Sequence, residues 1–168
     1  MKINIYFFLL LILFFCNSCS KEIEKKSVIN EKSLDLQVLE AYEEGKKSLE
    51  RGDVLFAAKK FNEAEILFPQ SESAPKSALM AAYAYYSQDY YGDAISELER
   101  FIRVYPKHIN LDYVYYLLGI CHYEQIVDEK KDLQSIIKAK ENFNIVVNKF
   151  PITEYASDSK FKIDLIND

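Results

Sequence analysis

The stretch AISELERFIRVYP at residues 94–106 returns as AAKKFNEAEILFP at 57–69 and as AKENFNIVVNKFP at 139–151. Each copy opens on alanine, places a bulky apolar residue four positions later, and closes on an aromatic followed by proline. Apolar residues recur at helical spacing through all three, so each reads as a helix. The terminal proline has no N–H and clashes with the preceding turn, so the helix stops there. Pro69, Pro106 and Pro151 lie 37 and 45 residues apart. A period of that size signals stacked supersecondary units rather than one bundle. Upstream of each copy a small residue marks a second helix: Gly45 and Ala82 stand 24 residues before their prolines, Gly119 stands 32 before its own. The surplus in the third unit falls around the polar run Val127-Asp128-Glu129-Lys130-Lys131.

The offsets have steric reasons. Gly45, Ala82 and Gly119 let the second helix of each unit approach closely, and Ala57, Ala94 and Ala139 fill the matching contact. Phe61, Leu98 and Phe143 lie one turn further along and fill the wider gap. This pattern resembles the tetratricopeptide repeat. The expected fold is all-α, a right-handed superhelix (α-solenoid) of about three repeats, 34–69, 74–106 and 111–151, with the start of a fourth at 155–168. Helices are expected at 34–51, 54–68, 74–88, 90–105, 111–126, 133–150 and 155–166. Gly52-Asp53 reads as a helix stop and cap, and Asp89 and Asp132 as later caps.

Composition agrees. Of 168 residues 49% are hydrophobic and 28% charged, which excludes a disordered chain. Basic residues number 21 against 26 acidic, so the chain lacks the basic face that a nucleic-acid binder needs. Three Cys and two His are too few for a disulfide scaffold or most zinc frameworks. Cys121 and His122 point about 100° apart on one helix and do not share a metal readily; His122 reads as a packing residue. No phosphate-binding loop, nucleophile elbow or paired carboxylates occur. A periplasmic hydrolase would need such a constellation, so no enzyme, cofactor or metal site is expected.

The first residues read as a targeting segment. Ile5 to Phe15 is an apolar run of 11 residues, shorter than the ~20 that cross a bilayer, but long enough for a signal-peptide core. Ser18-Cys19 just beyond it resembles the lipobox of bacterial lipoproteins. That resemblance implies removal of residues 1–18 and lipidation at Cys19, with 19–33 as a charged, flexible tether. Ser20 is not the acidic residue that retains many lipoproteins in the inner membrane. Anchoring at the periplasmic face of the outer membrane is therefore expected.

In a stacked array the first helix of each pair lines the inner surface. Tyr42, Lys46 and Leu49 then point inward from the first repeat. Leu79, Tyr83 and Tyr86 follow from the second, and Tyr113, Tyr116, Ile120 and Tyr123 from the third. A phenol has an apolar body and a polar tip, so this set suits a half-wet peptide groove, although core packing also accounts for some of it.

The run Ala82-Tyr-Ala-Tyr-Tyr86, continuing through Asp93-Ala94-Ile95 and Arg100-Phe-Ile-Arg-Val-Tyr-Pro-Lys-His108 to Gly119, is more specific than a generic repeat. With Cys19, the insertion in the third repeat and Phe150-Pro-Ile-Thr-Glu-Tyr155, it resembles the BamD family of β-barrel assembly lipoproteins. The resemblance implies a scaffold without catalysis. It would bind a BamA-like barrel insertase, other assembly lipoproteins and the C-terminal segments of unfolded outer-membrane proteins. The family has about five repeats, whereas this sequence ends within the first helix of a fourth, which leaves Phe161, Leu165, Ile163 and Ile166 on more than one side of that helix. Either the sequence is a fragment or a partner covers that end. A repeat lipoprotein of another envelope machine, for pilus biogenesis or cell division, is the alternative.

Overall fold

The computed structural model describes residues 33–126 and 133–168. Cys19, Asp132 and the polar insertion lie outside them. Among the described residues seven helices follow one another: α1 Leu34–Glu50, α2 Val54–Leu67, α3 Ala74–Tyr86, α4 Tyr91–Val104, α5 Leu111–Glu124, α6 Leu133–Lys149 and α7 Glu154–Asn167. No strand occurs among the described residues. Pro69, Pro106 and Pro151 each stand two residues beyond α2, α4 and α6, where their missing N–H costs no helical hydrogen bond.

Local chemistry sets the ends. Ser33 accepts from the Leu36 N–H at 3.4 Å to open α1. Gly52 takes φ +80°, turning the chain, and Asp53 then caps α2 by accepting from the Phe56 N–H at 3.2 Å. The next hairpin differs from expectation. Asp89 does not cap α4; it occupies the left-handed turn with φ +62°, the place of Gly52 one repeat later, and Tyr90 is the N-cap residue. Asp tolerates this conformation better than most residues, and its carboxylate accepts from Tyr91 Oη at 2.7 Å.

Each helix packs on its successor, and α5 also touches α7, so the hairpins stack side by side. Ala57, Ala94, Ala139, Phe61, Leu98 and Phe143 have no exposed surface. A Cβ on Gly45 would lie 2.9 Å from the Phe61 ring, and one on Gly119 2.6 Å from that of Phe143. Both glycines are steric necessities. The second repeat reaches the same density differently: Ala82 and the smaller Leu98 share one buried cluster.

The first two repeats are also joined through their second helices. Glu65 on α2 is buried, and Arg100 on α4 grips it with two hydrogen bonds of 2.9 and 2.7 Å. Tyr105 Oη donates to Glu65 at 2.7 Å, and Asn62 donates to Glu97, which also accepts from Arg100. Buried ionic groups are tolerable because every member is paired.

Candidate functional site

The first helices of the repeats, α1, α3, α5 and α7, make a ladder whose rungs join one repeat to the next. The residue three before each close-approach position is Tyr42, Leu79 or Tyr116. The residue seven after each proline is Lys76, Tyr113 or Asp158. These meet in turn. The Lys76 ammonium lies 5.3 Å from the Tyr42 ring centroid. Leu79 and Tyr113 line one cavity. Tyr116 Oη donates to Asp158 at 2.7 Å.

Between α3, α5 and α7 the aromatics gather. Tyr83 and Tyr86 have ring centroids 6.3 Å apart, and Tyr155 on α7 lies 5.4 Å from Tyr113 and 5.2 Å from Tyr116. Tyr83 is 39% exposed, and the other four rings are half-buried. Burial pushes the Tyr86, Tyr113 and Tyr116 phenols above their usual range, with the Asp158 hydrogen bond adding to the effect at Tyr116. They therefore stay neutral at physiological pH. Neutral phenols offer apolar faces and hydrogen-bonding tips together, the combination that grips a peptide backbone and its side chains.

Not all the expected residues join this surface. Tyr42 lies at the other end of the ladder, edge-on to Phe61 with centroids 5.3 Å apart. It borders a separate cavity of about 390 Å³ with Asp35, Leu39, Phe68, Ser71 and Lys76. Lys46 is held by Glu43 at 3.2 Å. Tyr123 packs beside Ile120 and Phe143, with the Lys162 ammonium 4.8 Å from its ring centroid. Ile120 is itself buried, and Leu49 is half-buried against the core. Tyr83, Tyr86, Tyr113 and Tyr116 are thus brought together with Leu79 at their edge, while Tyr42, Lys46 and Tyr123 are not.

Tyr155 and Asp158 were not expected. Tyr155 stands four residues after Pro151, where the earlier repeats carry Ser73 and Asn110, so repeat register gives no aromatic signal there.

The chemistry elsewhere is quiet. Cys121 is buried, its thiol pushed up to about 12 by desolvation, and burial lowers the pKa of His122. Among the described residues no group of three His, Cys, Asp or Glu side chains is placed to hold a metal, and no helix is long and apolar enough to cross a membrane.

Stacked helical hairpins with these marks define a tetratricopeptide-repeat protein. Solved structures agree on the fold. The first such domain of Spaghetti (RPAP3), bound to an HSP90 peptide, superposes with a TM-score of 0.58 at 17% identity, covering 79% of this chain and 91% of that one. The Arabidopsis OM64 domain gives 0.58 at 12% identity, covering 78% and 97%.

Residues 34–168 match the family YfiO, outer membrane lipoprotein, and the chain belongs to that family. It is 40% identical over 127 residues to the outer membrane protein assembly factor BamD of Caulobacter vibrioides, covering 76% of this chain and 42% of that protein. To the Rickettsia prowazekii BamD it is 36% identical, covering 76% and 51%. The chain spans about half the length of the relatives it matches.

Proposed function

We propose that this chain acts as a scaffold in outer-membrane β-barrel assembly. Anchored through a lipid on Cys19 at the periplasmic face, it presents the tyrosine surface between α3, α5 and α7 to the C-terminal, aromatic-ended segments of unfolded barrel proteins. It passes them to a BamA-like insertase, which docks with other assembly lipoproteins elsewhere on the protein. The observation that carries this reading is the convergence of Tyr83, Tyr86, Tyr113, Tyr116 and Tyr155 from three helices onto one half-exposed surface. The relatives' role as assembly factors supports the choice of client. Aromatic-rich, pre-ordered surfaces bind extended peptides with little entropic loss.

The test is calorimetric titration of the full-length protein in detergent with peptides that end in the aromatic barrel signal. Changing Tyr83, Tyr86 and Tyr116 together to Ala should weaken binding at least about tenfold, since each stacked ring contributes on the order of 1 kcal/mol. Unchanged affinity in a variant with native circular dichroism would remove the surface from the mechanism.

A further inference from the structure

The charge that lines the cavity beside the tyrosines is acidic. Tyr113 and Tyr155 line a cavity of about 390 Å³ together with Leu79, Ile109, Asn110 and Asp112. Among the described residues no Lys or Arg lines it. Helix α5 contains neither residue type along its whole length, and the single Lys of α3, Lys76, sits over Tyr42 instead. On α7, Lys162 sits over Tyr123, and Lys160 is turned about 140° round the helix from Tyr155. The nearby acids are Asp112, Asp158 and Glu154. Burial raises the Tyr155 phenol first, and the charges of Glu154 and Asp112 push in the same direction.

Some acids elsewhere among the described residues have cationic partners, and others such as Asp53 and Asp89 do not. Glu43 pairs with Lys46, Glu44 and Glu63 with Lys60, Glu65 and Glu97 with Arg100, and Glu141 with Lys138. Among the described residues Asp112 and Asp158 have none. Asp158 accepts from Tyr116, and Asp112 accepts from the Tyr113 N–H at 2.8 Å. Two tilted rings beside an unpaired carboxylate form the environment that attracts a cation, through the negative ring faces and direct charge. An Asp or Glu side chain of a peptide meets repulsion in that cavity. The apolar residues Leu79 and Ile109 flank the same cavity, and Ile109 is 86% exposed, so an adjoining apolar side chain gains contact too.

We infer that this surface selects peptide segments that carry a Lys or Arg beside apolar residues, with the cation seated against the Tyr113–Tyr155 ring pair and Asp112 as its counter-ion. The inference rests on the reading that the surface binds client peptide, and names the chemistry it prefers.

The experiment titrates the full-length protein in detergent with three peptides of one aromatic-ended sequence, bearing Lys, norleucine or Glu at a single interior position. The Lys peptide should bind about fivefold more tightly than the norleucine peptide, and the Glu peptide most weakly. The advantage should shrink as salt rises. Asp112→Asn, which can still accept from the Tyr113 N–H, should erase most of the preference while leaving the norleucine peptide's affinity in place. Tyr155→Leu should weaken all three peptides and also shrink the Lys peptide's advantage through loss of the ring face. If the three peptides bind alike, the inference is overturned and the binding surface stands. If none binds, the surface and the inference both fall. Should Asp112→Asn not fold, the peptide series and its salt dependence on the unaltered protein decide alone.

Discussion

Tyr42 and Tyr116 hold the same place in the first and third repeats, and the residue that reaches each from the following repeat also holds one place. At the first junction that residue is Lys76, an ammonium over a ring. At the third it is Asp158, a carboxylate accepting from the hydroxyl. The solenoid needs contact at this rung and is indifferent to its charge. Each step is therefore free to specialise, basic at the α1 end and acidic where the tyrosines gather.

The second helices show a parallel contrast. Glu65 and Arg100 clasp the first junction through charge. The matching residues at the next junction, four before Pro106 and six before Pro151, are Ile102 and Ile145. One junction is fixed by a polar network, whereas the other carries an apolar residue at each matching position, on a backbone that repeats.

The sharpest way to break the contrast is Arg100→Ala. It leaves the Glu65 carboxylate, 5% exposed, with the Tyr105 hydrogen bond alone, and should cost about 2–3 kcal/mol in denaturant unfolding, less than for a fully buried pair because Arg100 is partly exposed. Replacing both residues by Leu and Met should recover most of that loss. Gly119→Ala comes next. A methyl 2.6 Å from Phe143 should cost about 1–2 kcal/mol net of the gain in helix propensity, and Gly45→Ala, with 2.9 Å of clearance, less. Adding Phe143→Leu to Gly119→Ala should restore stability, because it rebuilds the Ala82–Leu98 solution of the second repeat; additive losses in a double-mutant cycle would refute that.

Tyr116→Phe should cost about 1 kcal/mol through its hydrogen bond to Asp158, and Lys76→Gln about 0.5 kcal/mol through its ring contact. Equal effects would erase the distinction between the two rungs. The smallest effect concerns pH. The phenols of Tyr86, Tyr113 and Tyr116 keep their protons in the folded protein at pH values where the unfolded chain releases them. The native state then binds more protons than the unfolded state, so stability present below pH 10 falls as pH rises above it. Thermal melts between pH 8 and 11 should show that decline, and Tyr113→Phe should flatten it.

Much of the fold was legible because each boundary has a local cause. The proline two residues beyond α2, α4 and α6, together with the small and bulky marks in register, placed all seven helices to within two residues. Asp89 misled because an Asp before a helix reads as a cap, while the turn required a left-handed residue there and the neighbouring Tyr90 became the cap residue. The surface was only half legible. Periodicity says which residues share a helix face, and so groups Tyr83 with Tyr86 on α3 and Tyr113 with Tyr116 on α5. It does not say what the next helix brings over them. Ile120 vanished into the core, Tyr42 and Tyr123 were taken up by Lys76 and Lys162, and Tyr155 arrived from a position with no aromatic precedent.

The central claim is that the inner ladder, and not the outer helices, meets unfolded clients. It is tested most directly by placing a photoreactive amino acid at Tyr83 or, for comparison, at Leu55, which is 53% exposed on α2. Irradiation in living cells, followed by mass spectrometry of the adducts, should capture newly made outer-membrane barrel proteins at Tyr83 and none at Leu55. Capture at Leu55 with none at Tyr83 would contradict the account.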